Sequence, residues 1–129
     1  MKTRTILVVD DSRVTRELIK VYLIARDVAL QEAADGAEAL DKIRAAPPDL
    51  VLADNRMPIL DGVGLCTAIR ADPRLAELPV VILTSNADPA TARALRKAGA
   101  REVLQKPVQP NVLLEAVNRQ LAATAIHRP

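Results

Sequence analysis

Four short apolar runs constrain this chain more than any other feature: ILVV at 6–9, LVLA at 50–53, VVIL at 80–83 and the weaker VL at 103–104. Each is continuous rather than alternating and is built from Val, Ile and Leu. A strand with one wet face alternates apolar and polar residues, whereas a strand covered on both faces need not. These runs therefore read as interior strands of a parallel sheet. A fifth strand is placed, on weaker grounds, at VALQEA, 28–33.

The intervening segments carry helical spacing. Val14, Leu18, Val21, Tyr22 and Ala25 mark a buried face, with Arg13, Arg16, Glu17 and Lys20 elsewhere on the helix. Residues 36–46 repeat Leu40 and Ile43, and residues 63–71 repeat Leu65, Cys66 and Ile69 before Pro73 stops the helix. Asp88 and Pro89 read as the cap and first residue of a fourth helix that Gly99 closes. Pro110 or Asn111 opens the last, whose apolar stripe is Leu113, Ala116, Val117 and Leu121. Strand then helix, five times over, implies right-handed crossovers with helices on both sides of the sheet. The expected architecture is a three-layer α/β/α sandwich.

A length of 129 residues suits one domain, and 50% hydrophobic with 26% charged residues is far from a disordered composition. Tyr22 is the sole aromatic residue, so the core is aliphatic, and Tyr22 and Cys66 both read as part of it. A single cysteine excludes an intramolecular disulfide framework. A net charge of +2 does not argue for nucleic acid, and Arg93, Arg96, Lys97 and Arg101 read as a solvated face. No stretch is apolar enough for a membrane span, and Asp10 interrupts the N-terminus too early for a signal peptide. A cytoplasmic protein is expected.

Ligands of open parallel sheets bind at the carboxyl ends of the strands. There the sequence places Asp10 and Asp11, then Asp54, then Thr84 and Ser85, then Lys106 and Pro107. Any one of these has a structural explanation: an Asp-Asp-Ser run can cap a helix, Asp54 can form a turn, and Lys106 can be a surface lysine. Together they gather carboxylates that repel one another, by roughly 4 kcal/mol for a pair about 4 Å apart at an effective dielectric constant near 20. A divalent cation beside Lys106 would relieve that repulsion, and oxygen ligands suit Mg²⁺. Such a site is suited to phosphate.

The fragments VVDDS, ADNRMPILDG, LTS and LQKP, in that order and placement, resemble the receiver domain of two-component response regulators from about residue 5 to residue 124. The resemblance implies a flavodoxin-like, doubly wound sheet of order 2-1-3-4-5, with a receiver over 1–124 and a C-terminal tail, 125–129, that contains His127. It implies that Asp54 accepts a phosphoryl group from a sensor histidine kinase or histidine phosphotransferase. Asp10, Asp11, Asp54 and the backbone carbonyl of Arg56 would hold Mg²⁺, with Mn²⁺ as a substitute. Lys106 would pair with phosphoryl oxygens, and Thr84, with Ser85 beside it, would form the switch. Binding to a downstream protein partner would then change, and a homodimer is one form that such a partner can take.

Two departures from the family pattern stand out. Val103 occupies a position usually held by an aromatic residue, and a β-branched side chain has no ring to swing. Arg56 and Asn86 occupy positions that flank the route of hydrolytic water, so they are expected to tune the lifetime of the phosphorylated state. Three other readings compete. An aspartate-nucleophile phosphatase resembles this arrangement but carries a second Asp where Arg56 stands. A flavin-binding protein of the same topology would have a Ser/Thr/Gly-rich phosphate loop after the first strand, where this chain has carboxylates. A receiver cut from a larger DNA-binding regulator is the last; no helix-turn-helix is expected within these residues, so neither is direct nucleic-acid binding.

Overall fold

The computed structural model describes residues 3–127, with side chains as far as residue 123. Five strands alternate with five helices: β1 Arg4–Val9, α1 Arg13–Tyr22, β2 Val28–Ala33, α2 Gly36–Ala45, β3 Leu50–Asp54, α3 Gly62–Ala71, β4 Val80–Thr84, α4 Pro89–Ala98, β5 Glu102–Gln105 and α5 Pro110–His127. The strands form one parallel sheet of order β2-β1-β3-β4-β5. The α/β/α architecture expected from the alternation and the strand order implied by the resemblance are therefore both present.

The continuous apolar runs have a direct cause. Side chains alternate across a sheet, and here both faces are covered. Leu7, Val9, Val51, Ala53, Val80 and Ile82 pack under α2, α3 and α4, while Ile6, Val8, Leu50, Leu52, Val81 and Leu83 pack under α1 and α5. On the edge strand β2 burial alternates, which is why its sequence was the least distinct of the five. Cys66 is buried in the first core, and burial pushes its thiol up to about 11. Tyr22 is half-buried against the second.

Helix starts follow the expected chemistry. Ser12, Asp35, Asp61 and Asp88 each accept a hydrogen bond from the backbone N–H three residues on, at 3.2, 2.8, 2.8 and 2.7 Å. Pro89 opens α4, Pro110 opens α5, and Gly99 closes α4 at φ 123°, a conformation that favours glycine. A short 3₁₀ turn, Pro73–Leu75, follows α3. Leu113, Ala116, Val117 and Leu121 are all buried, as the stripe on α5 requires. Arg93, Arg96, Lys97 and Arg101 are exposed. The helix α5 runs on to His127, and the expected tail at 125–129 lies outside the described side chains.

The face assigned to α1 needs correction. Val14, Leu18 and Val21 are 79, 48 and 61% exposed, and Ala25 lies in the turn beyond the helix, which ends at Tyr22. The helix rests on the sheet through Ile19, with Leu23 at its C-cap. Both stripes have helical period, so periodicity alone does not choose between them. In the observed rotation Ile19 packs on the sheet, Arg16 Nε and Lys20 Nζ each lie 3.0 Å from Glu32 near the end of β2, and Val14, Leu18 and Val21 are left to solvent.

Candidate functional site

Strand register builds the site. Val9 of β1 pairs with Ala53 of β3, so Asp10 and Asp54 leave the sheet side by side. Asp54 pairs with Leu83, and Thr84 pairs with Gln105, so Thr84 and Lys106 each follow one step further along the same edge. Loops fix the rest. Asn55 N–H donates to Leu83 O at 2.9 Å and its carbonyl accepts from Gly62 N–H at 2.8 Å, which ties the β3–α3 loop to its neighbours.

Asp10, Asp11 and Asp54 each offer a carboxylate oxygen, and these oxygens lie within 4.8 Å of one another. Lys106 Nζ lies 2.8 Å from Asp54 Oδ1 and 3.2 Å from Asp10 Oδ2. Asp10 is 2% exposed and accepts a hydrogen bond from Ser12 N–H at 2.8 Å. Burial pushes its carboxyl above the ordinary range, against the pull of that hydrogen bond and of Lys106. Burial works against the Lys106 ammonium as well, but its bond to Asp54 and the charges of Asp10 and Asp54 outweigh it, and its pKa is raised.

The donor set fits a hard divalent cation. Three carboxylates against one ammonium leave two negative charges on a sheet edge. All the clustered side-chain donors are oxygens, with no His or Cys among them. Asp11 is exposed, so the cluster opens to solvent on that side, into a hollow also lined by Asn55, Arg56, Met57, Pro58 and Asp61. The side chain of Arg56 is exposed at its rim.

Thr84 is 3% exposed, and its hydroxyl is engaged with Asn86: Asn86 N–H donates to Thr84 Oγ1 at 3.1 Å, and Thr84 Oγ1 donates to Asn86 O at 3.3 Å. Ser85 is exposed beside it. Val103 is half-buried on the α2–α3–α4 side of the sheet. The structure thus gathers Asp10, Asp11, Asp54 and Lys106 into one contact cluster, sets Arg56 at its rim and places Thr84, Ser85 and Asn86 in the adjoining β4–α4 segment.

Two contributors escaped sequence reasoning. Arg16 donates to the Asp10 carbonyl at 2.7 Å while its Nε meets Glu32 Oε1 at 3.0 Å, which holds the β1–α1 turn in place. Gln105 bridges the β4–α4 and β5–α5 loops with three hydrogen bonds. Arginine on an amphipathic helix and glutamine beside a lysine carry no distinctive signal, and each matters here through a tertiary partner.

Residues 6–118 match the family model of the response regulator receiver domain. The chain is 37% identical over 119 residues to a gliding motility regulatory protein of Myxococcus xanthus, which covers 92% of this chain and 15% of that protein. It is 33% identical over 116 residues to the DNA-binding response regulator MtrA of Mycobacterium tuberculosis, covering 90% of this chain and 50% of the relative. Among solved structures, the chemotaxis response regulator CheY4 of Vibrio cholerae superposes with a TM-score of 0.87 at 31% identity, over 93% of this chain and all of that one. The chain belongs to the response regulator receiver domain family. Receivers are signalling modules of two-component systems, and this chain spans half or less of the curated relatives just described.

Proposed function

We propose that this chain is a phosphorylation switch in which Asp54 accepts a phosphoryl group from a phosphohistidine on a sensor histidine kinase or a histidine phosphotransferase. The observation that carries this reading is the position of Asp54: a carboxylate at a rigid strand end, 2.8 Å from the Lys106 ammonium and clustered with Asp10 and Asp11. In the transfer, an Asp54 carboxylate oxygen forms a bond to phosphorus as the phosphorus–nitrogen bond of the phosphohistidine breaks, and the imidazole leaves with the electron pair. Such transfers need positioning and charge neutralisation more than covalent assistance.

Asp10, Asp11, Asp54 and the Arg56 carbonyl would hold Mg²⁺ or Mn²⁺, which supplies neutralisation of the charge that the acidic cluster and the phosphoryl oxygens bring together. Lys106 exchanges Asp54 Oδ1 for a phosphoryl oxygen once the carboxylate is phosphorylated. Thr84 turns its hydroxyl from the Asn86 carbonyl to the phosphoryl group, and this movement draws in the segment carrying Ser85 and Asn86. Binding of a downstream protein then changes, so the module acts as a switch rather than as a metabolic catalyst. With Val103 on β5 there is no aromatic ring to rotate, and coupling to the α4–β5–α5 face travels through other contacts.

Arg56, exposed at the rim of the hollow, and Asn86 are assigned to the lifetime of the acyl phosphate. An Arg56→Ala variant that loses its phosphoryl group at the wild-type rate would remove Arg56 from that assignment. The main reading is tested by incubating the protein with Mg²⁺ and a small-molecule phosphoryl donor and recording intact mass. An adduct on wild type that disappears with chelator and in Asp54→Asn supports it; an adduct that survives Asp54→Asn moves the site elsewhere.

A further inference from the structure

The hydroxyl of Thr84 is not free in this structure, and the segment that occupies it is itself held. Asn86 both donates to and accepts from Thr84 Oγ1, and Asn86 lies between Ser85 and Ala87. Both of those neighbours are pinned by one side chain. Gln105 Oε1 accepts from Ala87 N–H at 2.9 Å, and Gln105 Nε2 donates to Ser85 O at 2.8 Å and to Lys106 O at 3.0 Å. The β4–β5 register brings the two within reach, because Thr84 and Gln105 are paired residues on adjacent strands.

We infer that Gln105 is a positioning residue that latches the β4–α4 segment in its resting form and so sets how readily Thr84 is released towards Asp54. The inference rests on the switch reading above. For Thr84 to turn to a group on Asp54, the Asn86 peptide must give up its two bonds to the hydroxyl. Gln105 opposes that by holding the peptide's two neighbours, while its third bond fixes its own amide to the backbone of Lys106. A hydrogen bond at a partly solvated site contributes modestly to an equilibrium, so the latch is a bias and not a lock. Gln105 is exposed at the end of an edge strand, and its removal leaves both hydrophobic cores intact.

The test uses Gln105→Ala and Gln105→Leu, the second keeping most of the reach without any polar atom. Affinity for beryllium fluoride at fixed Mg²⁺, used as a mimic of the phosphoryl group, is expected to tighten about fivefold in both variants, the shift that loss of roughly one net hydrogen bond produces. In a Thr84→Ala background the gain is expected to vanish, which a merely structural role for Gln105 would not produce. In the protein without Mg²⁺ or fluoride, amide exchange at Asn86 N–H, whose acceptor is Thr84 and not Gln105, is expected to accelerate by about the same factor. Unchanged affinity, or a gain that persists without the Thr84 hydroxyl, overturns the latch. Should wild type itself fail to bind the probe, the phosphoryl reading fails instead, and the Asn86 exchange rate still decides whether Gln105 restrains the segment.

Discussion

Ile59 stands in the β3–α3 loop at φ 73°, a conformation that a β-branched residue enters at a cost, and its side chain is 80% exposed. Little packing is lost when it is replaced. Asn tolerates the left-handed region, so Ile59→Asn is expected to stabilise the fold by about 1 kcal/mol in urea unfolding, with the slope of the transition unchanged. A loss of stability would show that the exposed isoleucine makes contacts worth more than the backbone strain. At the neighbouring charged site the residues divide by how they act. Asp54, Asp10 and Asp11 form the acidic cluster and Lys106 balances it, whereas Arg16 and Gln105 act on backbone atoms of the loops. The first group is legible in the sequence because charge at the end of an apolar run conflicts with burial. Arg16 and Gln105 are not, because neither residue type conflicts with its surroundings until the partner is known.

Among the elements, strands were more legible than helix faces. A short run rich in Val, Ile and Leu and bounded by turn residues favours a strand covered on both faces, and each run begins or ends within a few residues of the observed strand. Helix α1 shows the opposite case, since Val14–Leu18–Val21 and Ile19–Leu23 are both apolar series of helical spacing, and what distinguishes the second, its packing on the sheet with Arg16 and Lys20 paired to Glu32, lies in tertiary partners. Contacts between elements also impose demands that composition conceals. Gly36 begins α2 beneath the β3–α3 loop, where an added Cβ would lie 2.3 Å from the Leu60 carbonyl oxygen and 2.8 Å from Leu60 Cβ. Backbone cannot move aside as a flexible side-chain tip can. Gly36→Ala is therefore expected to destabilise by about 1–3 kcal/mol in chemical unfolding, despite the better helix propensity of alanine. A neutral or stabilising result would mean that the loop yields.

At the scale of the whole molecule, the two cores hold the sheet while carboxylate contacts tie its periphery, and those contacts make stability depend on acid. Glu32, Glu38, Asp72, Asp88 and Glu102 all have lowered pKa values in the folded state, through hydrogen bonds to cationic side chains or to backbone N–H groups. For Glu102 burial pulls upward, and the hydrogen bonds from Arg119 and Gln120 prevail. Because folded values lie below unfolded ones, the unfolded chain takes up protons first, so this stability is fully present above the ordinary carboxylate range and is lost as the pH falls through the folded values. Asp10 acts in the opposite sense, one group against five. Urea midpoints are expected to fall between neutral pH and about pH 3, and Glu102→Gln is expected to unfold more readily than wild type at neutral pH, with the difference shrinking in acid. A difference that grows in acid would reverse the sign of that contribution. The proposed switch turns on one carboxylate, Asp54, and trapping an acyl phosphate there examines the proposal directly. Protein treated with Mg²⁺ and a phosphoryl donor is reduced with borohydride, which converts an aspartyl phosphate to homoserine, and the change is located by peptide fragmentation. Homoserine is expected at position 54 alone, and only with the cation present; homoserine at Asp10, Asp11 or any other carboxylate, with position 54 unchanged, would contradict the assignment of Asp54.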